Sequence, residues 1–328
     1  MHERPAELAL IADIGGTNAR FALTDLRAEH LELSAQASLR CAEFASLHHA
    51  AEHYLEQVGV RPTLAGLAVA CPIIHDEVRM TNRAWAFSQR ELMHTLGLQG
   101  LRVINDFGAI AHAVTVLQAP DLHALYGAPE PPVRGPITLI GPGTGLGVAL
   151  LAGNAERGWH VVETEGGHVS FAPLNDEERL IAEWVSARFG RCSNERLLSG
   201  AGLSHIDAAL RGASGVDTGV AHLRAPEEIV TQALEGHDLI ARRTLARFCA
   251  ILGSVLGDTA LIHGARSVVI AGGIVPRFIN FVRSSAFRER FLAKGRFADY
   301  LAAIPIHVIT HSYPGLLGAA AALREQNS

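Results

Sequence analysis

The sequence predicts an α/β protein made of two related halves, each a mixed sheet flanked by helices. Three observations carry that expectation. A glycine hairpin near the start, Ile11-Ala12-Asp13-Ile14-Gly15-Gly16-Thr17-Asn18-Ala19-Arg20-Phe21-Ala22-Leu23, recurs in outline as Ile140-Gly141-Pro142-Gly143-Thr144-Gly145-Leu146-Gly147-Val148-Ala149-Leu150, with its Gly-Thr and Ala-Leu pairs at the same offset. Each copy opens a strand-rich stretch that passes into alternating helix and strand, the order expected of mixed sheets covered by helices. The length of 328 residues exceeds the size at which single cores usually stop growing.

The elements follow in order. Leu8 to Ala12 reads as a strand, the glycines as a turn, and Arg20 to Leu23 as the returning strand. Leu31 to Leu39 reads as a third strand, Phe44 to Val58 as a helix by its spacing, and Leu64 to Ala70 as a short apolar strand. Val78 to Asn82 and Trp85 to Phe87 read as short extended pieces. Ser88 with Glu91 three residues later is a capping-box start. Leu101 to Ile104 is a strand that ends in Asn105-Asp106, before a helix over Phe107 to Leu117. Gln118 to Gly135, rich in Pro, Gly and Ala, reads as a connection between domains or a cap on the cleft. Strands around Ile137 to Ile140, Val148 to Leu151 and Trp159 to Glu163 open the second half. Helices follow over Asp176 to Phe189 and within Pro226 to His263. Ser267 to Ala271 is a late strand ending in Gly272-Gly273, His307 to Ile309 a last strand, and Leu316 to Arg324 a final helix.

Composition narrows the function. The net charge of −5, with no long basic stretch, speaks against nucleic-acid binding. No run of roughly 18 apolar residues marks a membrane span. The first residues, Met1-His2-Glu3-Arg4-Pro5, lack a signal-peptide profile, and Cys41, Cys71, Cys192 and Cys249 are scattered without a C-x-x-C. They read as reduced core thiols of a cytoplasmic protein. The 17 histidines form no H-E-x-x-H or H-x-H pattern, so most are expected at the surface or in packing.

The chemistry is concentrated at the turns. Gly15 and Gly16 remove the Cβ atoms that would hold a ligand away, so backbone N–H groups can face phosphate oxygens. Asp13 supplies a carboxylate where the first strand ends, suited to hydrated Mg²⁺, and Thr17 adds a hydroxyl. This is neither the Walker pattern nor the dinucleotide G-x-G-x-x-G. Taken alone, Gly-Gly between apolar runs is equally the sign of an ordinary hairpin. Gly143, Thr144 and Gly145 form the second grip, where Pro142 lacks an N–H. Asp106, at a strand-to-helix junction where open sheets place ligands, is the candidate general base, although Asp there is also a favoured helix cap. Glu165-Gly166-Gly167-His168 sets a carboxylate and an imidazole around a tight turn, and Glu195 is a further carboxylate. Gly272-Gly273 would let a flat ring or ribose approach the backbone, and an ordinary strand-to-helix turn explains the pair nearly as well.

These segments, with Met80-Thr81-Asn82, Trp85-Ala86-Phe87-Ser88, Ala271-Gly272-Gly273-Ile274-Val275-Pro276-Arg277-Phe278 and Pro314-Gly315-Leu316-Leu317-Gly318, occur in the order found in bacterial glucokinases of the short ATP-dependent type, and the chain resembles that family from its first strand almost to its end. The resemblance implies the actin-like ATPase (ribonuclease H-like) fold, with a small domain of residues 1–109 plus 313–328 and a large domain of 110–312 around an interdomain cleft. It implies that Asn105, Asp106, Glu165, His168 and Glu195 contact sugar hydroxyls, and that Asp106 takes the proton from the hydroxyl at carbon 6. It further implies that Asp13, Gly15, Gly16, Thr17, Asn18, Gly143, Thr144 and Gly145 hold ATP phosphates, with Asp13 on Mg²⁺ through water, and that Gly272 and Gly273 lie near the adenosine. Related sugar kinases and repressors often carry a cysteine-rich zinc motif after the Glu-x-Gly-His segment. Its absence here implies no structural zinc and gives His168 to sugar.

The expectation is a cytoplasmic homodimer that transfers phosphoryl from ATP to glucose, with no nucleic-acid or membrane partner. Two rivals share the fold. A sugar-responsive repressor needs a helix-turn-helix before the body, and only 12 residues precede Asp13. An actin-like or chaperone-like ATPase leaves Glu165, His168 and Glu195 without a common purpose. A kinase for fructose or mannose stays open, because no motif decides the hexose.

Overall fold

The computed structural model describes residues 7–71, 73, 75–80, 85–213 and 223–327. Thr81 and Asn82 of the quoted motifs lie outside the described residues. Among the described residues, 7–118 with 311–327 form one compact unit and 119–310 another.

The first unit holds β1 (Leu8–Ile14), β2 (Asn18–Asp25), β3 (Ser34–Arg40), α1 (Leu47–Val58), β4 (Leu64–Val69), β5 (Glu77–Arg79), β6 (Ala86–Ser88), α2 (Gln89–Leu96), β7 (Gly100–Asn105) and α3 (Asp106–Val114). Its main sheet runs β3-β2-β1-β4-β7: β1 pairs antiparallel with β2 and parallel with β4, and β4 pairs parallel with β7. Side chains alternate across β1. Leu10, Ala12 and Ile14 join one core with Phe21 and Tyr54, while Ala9 and Ile11 join the other with Leu316 and Leu323. The helix starts obey local capping chemistry. Ser46 and Ser88 accept from the backbone N–H of His49 and Glu91, and α1 and α2 stop at left-handed Gly59 and Gly97.

The second unit holds β8 (Leu122–Tyr126), β9 (Ile137–Pro142), β10 (Leu146–Asn154), β11 (Gly158–Thr164), α4 (Asp176–Phe189), α5 (Gly200–Ala213), α6 (Pro226–Glu235), α7 (Leu239–His263), β12 (Ser267–Ile270), α8 (Ile279–Ser284), α9 (Phe287–Leu292), α10 (Ala298–Ala302) and β13 (Ile306–Ile309). Its sheet runs β11-β10-β9-β12-β13-β8. The first five strands repeat the pairing of the other unit: two antiparallel neighbours, then two parallel ones. The repeat of the glycine hairpin in the sequence is therefore a repeat of topology.

Two readings need correction. The Gln118 to Gly135 connection contains β8, an edge strand antiparallel to β13. The stretches between Phe189 and Pro226, and between Pro276 and His307, to which the sequence reading assigns no helix, contain α5 and α8 to α10. By length and composition α7 could cross a membrane, yet most of it is buried in the core of its own unit, with Phe248, Ile251, Leu252 and Leu256 fully enclosed. Among the described residues no disulfide forms, and all four cysteines are buried.

The chain returns to the first unit as α11 (Pro314–Asn327), which packs on α3, β4 and β1. Its small residues permit the approach. A Cβ at Gly66 would lie 2.7 Å from the Ala319 carbonyl oxygen, and one at Gly318 would overlap the Ala109 carbonyl. This contact fixes α3, and with it Asp106, against the sheet.

Candidate functional site

In the first unit the hairpin sets Asp13 opposite Arg20 in the β1–β2 register, and the Arg20 Nη1 lies 3.3 Å from Asp13 Oδ2. The Gly15 N–H closes the turn on the Asn18 carbonyl at 3.0 Å, while the Cys41 N–H donates to the Thr17 carbonyl at 2.9 Å. Thr17 itself is exposed, and Gly16 and Asn18 are half-buried. On the other side of Asp13 stands the first turn of α11, where a Cβ at Gly315 would meet Asp13 Oδ2 at 2.9 Å. Burial pushes the Asp13 carboxyl above the usual carboxylate range, and the Arg20 charge and hydrogen bond pull it back.

Asp106 begins α3. The cap, however, is Asn105, whose Oδ1 accepts from the Phe107 N–H at 2.9 Å and the Gly108 N–H at 3.2 Å, while its Nδ2 donates to the Cys71 carbonyl at 3.4 Å. With capping done by its neighbour, Asp106 keeps a lighter local load: Oδ1 accepts the Phe107 N–H at 2.8 Å. Burial raises its carboxyl above the ordinary value. The Phe107 N–H opposes that rise, and the negative charge of Asp13 adds to it. Asp13 and Asp106 thus form one acidic end of the first sheet.

In the second unit Glu165 caps a single turn at Gly166–His168. His168 Nε2 lies 3.8 Å from Glu165 Oε2, and both side chains are exposed, so their ion pair is of little weight. The glycines between them are dictated by packing. A Cβ at Gly167 would overlap the Leu146 carbonyl at the foot of the second hairpin, and one at Gly166 would press on Val148. Glu195 joins the same place: its N–H donates to the Gly167 carbonyl at 2.9 Å, and its Oε2 accepts from the Leu146 N–H at 3.0 Å. Glu165, His168 and Glu195 are therefore brought together around the hairpin of Gly143, Thr144 and Gly145. There the Gly143 N–H closes the turn on the Gly145 carbonyl at 2.9 Å, and the Gly200 N–H holds the Gly143 carbonyl at 2.9 Å. Gly272, with φ +83°, rests against the Pro142 carbonyl on the hairpin's entering strand. Gly273 follows it with open space about its Cα.

The proposed site glycines fall into two kinds. Gly272 has no room for a side chain and a Cβ at Gly145 would displace the Glu195 carboxylate, whereas a Cβ at Gly15, Gly143 or Gly273 would meet nothing closer than 3.5 Å. Internal packing does not demand glycine at the open positions. In each turn the first glycine's N–H is already used to close the loop, which leaves donation to later residues such as Thr17 and Thr144.

Sequence reasoning missed the supports of this site. Arg20 was detectable, because a hairpin centred on Gly16-Thr17 places position 20 opposite 13. Gly315 against Asp13 and Gly200 against Gly143 join residues far apart in the chain and carried no local signal.

Residues 10–326 match the glucokinase family. The chain is 44% identical over 322 residues to a glucokinase of Tolumonas auensis, covering 98% of each protein, and 45% identical over 316 residues to one of Neisseria meningitidis, covering 96% and 94%. The crystal structure of a glucokinase from an Antarctic psychrotroph superposes with a TM-score of 0.86 at 34% identity, covering 99% of this chain and all of the other. A Streptomyces griseus ROK-family glucokinase in complex with glucose and AMPPNP, at 18% identity and a TM-score of 0.63, shares the fold.

Proposed function

We propose the residue roles in this site from one premise: the chain belongs to the glucokinase family. It has the actin-like ATPase fold and is an ATP-dependent sugar kinase, which transfers the γ-phosphoryl group of ATP to the 6-hydroxyl of glucose. The observation that supports the assignment of the base is Asp106, a partly buried carboxylate relieved of capping by Asn105 and raised in proton affinity by burial and by Asp13.

In this reading Asp106 orients the 6-hydroxyl and accepts its proton as the oxygen attacks the γ-phosphorus and ADP departs. A raised carboxyl suits that task, because it holds a proton better than an ordinary aspartate. Asn105, Glu165, His168 and Glu195 bind the other hydroxyls. A site built to hydrogen-bond hydroxyls rejects analogues lacking them, by ~10⁴-fold or more. Gly15, Gly16, Thr17, Asn18, Gly143, Thr144 and Gly145 take the phosphates, and Gly272 and Gly273 the adenosine. Asp13 fits a hydrated magnesium ion, since Arg20 only partly offsets its desolvated charge. Magnesium, when bound with ATP, would neutralise phosphate charge. The same reading makes the enzyme a cytoplasmic homodimer without structural zinc, open to light scattering and metal analysis of the purified protein.

The test is initial-rate ADP production with MgATP and a panel of hexoses at matched concentrations. The expected result is a strong preference for glucose with glucose 6-phosphate as product. Rapid turnover only with another hexose would replace glucose as substrate, and no sugar-dependent turnover at all would overturn the kinase reading.

A further inference from the structure

Glu195 occupies a position that sugar contact alone does not explain. Its backbone is tied to the Glu165–His168 turn through the Gly167 carbonyl, and its carboxylate to the glycine hairpin through the Leu146 N–H. The carboxylate lies so close to the hairpin that a Cβ at Gly145 would fall 2.5 Å from Oε2 and 3.4 Å from Cδ. The turn also touches the hairpin, at Gly167 on the Leu146 carbonyl. A carboxylate has about four acceptor positions, so the Leu146 bond leaves capacity for a sugar hydroxyl.

We propose that Glu195 couples the two ligand sites: one carboxylate contacts the sugar and positions the phosphate-binding hairpin Gly143-Thr144-Gly145. The inference rests on the assignment of Glu195 to sugar and of this hairpin to phosphate. A hydroxyl that fixes the carboxylate also fixes the Leu146 N–H and the turn before it. Sugar binding therefore prepares the hairpin for the nucleotide and tightens its binding. By linkage the nucleotide tightens sugar binding by the same factor. The consequence for the enzyme is a hairpin that is set for phosphate when an acceptor alcohol is present, which disfavours transfer to water.

The decisive variant lies on the phosphate side. Gly145→Ala pushes the Glu195 carboxylate aside, while Gly143→Ala alters the same hairpin where the nearest atom is 4.0 Å away. Glucose binding is measured by calorimetry in the absence of nucleotide. Gly145→Ala is expected to weaken glucose about tenfold, a change of about 1.4 kcal/mol, with Gly143→Ala within about twofold of the parent. Glucose affinity unchanged in Gly145→Ala, or lowered equally in both variants, overturns the proposal.

A second pair keeps it testable if Gly145→Ala does not fold. Glu195→Gln retains an oxygen for the Leu146 N–H and Glu195→Ala does not. Both are expected to lose glucose affinity, and only Glu195→Ala to lose affinity for a non-hydrolysable ATP analogue. Equal behaviour of the two toward the analogue contradicts the coupling. A parent protein that binds the analogue but no hexose would instead overturn the functional reading itself.

Discussion

The two glycine hairpins look alike in sequence and are held in different ways. In the first, charge organises the turn: Asp13 faces Arg20 across the strands, and Asp106 stands near enough to feel the Asp13 charge. At the same offset the second hairpin carries Ile140 and Gly147, with no charge. Close backbone packing organises it, with Gly167 on Leu146, Gly272 on Pro142 and the Gly200 N–H on Gly143, together with the Glu195 carboxylate on the Leu146 N–H. Register differs as well. Ile14 pairs with Ala19 in the first hairpin, while Pro142 pairs with Leu146 in the second, a loop shorter by one residue. The two turns share an outline and differ in what holds them: a charge pair across the strands in one unit, and close backbone packing with the Glu195 carboxylate in the other.

That contrast breaks most sharply at Asp106. Asp106→Asn keeps size and removes the proposed base, so turnover is expected to fall about 10²–10⁴-fold, roughly 3–5 kcal/mol of barrier, with an unchanged circular dichroism spectrum. Near-normal turnover would move the chemistry out of the charged unit. Next comes Gly272→Ala in the closely packed unit. Left-handed strain of ~1–2 kcal/mol and overpacking of ~1–3 kcal/mol predict a loss of several kcal/mol in urea unfolding; a wild-type midpoint would show that the Pro142 contact is not rigid.

A third prediction concerns pH. In its proposed role as base Asp106 must be ionised, and its carboxyl is raised, so kcat/KM is expected to fall on acidification from a higher pH than an ordinary aspartate allows. Asp13→Asn removes the negative neighbour and should move that acid limb to lower pH in the residual activity. An unmoved limb would place its origin elsewhere. The smallest effect is expected at Gly15→Ala. Its Cβ would sit at 3.5 Å from the Asn18 carbonyl, so stability should change by less than ~1 kcal/mol while KM for MgATP rises. A large loss of stability would remove the distinction between the two kinds of glycine.

The sequence made legible what local chemistry determines. Both hairpins, the Ser88 cap and the strand before Asp106 follow from apolar runs bounded by glycine, serine or aspartate. Helix α5 has Leu203, Ile206 and Leu210 at helical spacing, but Gly200, Gly202 and Gly212 weaken the helical signal, and Gly202 is required by its contact with the Leu197 backbone. Strand β8 is five residues between proline- and glycine-containing segments, and only its pairing with β13, far along the chain, makes it a strand. The same division holds at the site. Asp13, Asp106, Glu165 and His168 could be singled out from their settings and Glu195 only through the family resemblance, but the cap at Asn105 and the Glu195 bond to Leu146 required the fold.

The return of α11 to the first unit sets an order on biosynthesis. The second unit is continuous in the chain, so all of it emerges from the ribosome before the helix that Gly66 and Ala109 await. At ~5–20 residues per second, the first sheet stands without that partner for on the order of ten seconds or more. The wall that Gly315 provides beside Asp13 arrives with the same helix. A nascent chain therefore carries the acidic end of its first sheet unfinished until late in translation, long after the residues that form it have been made.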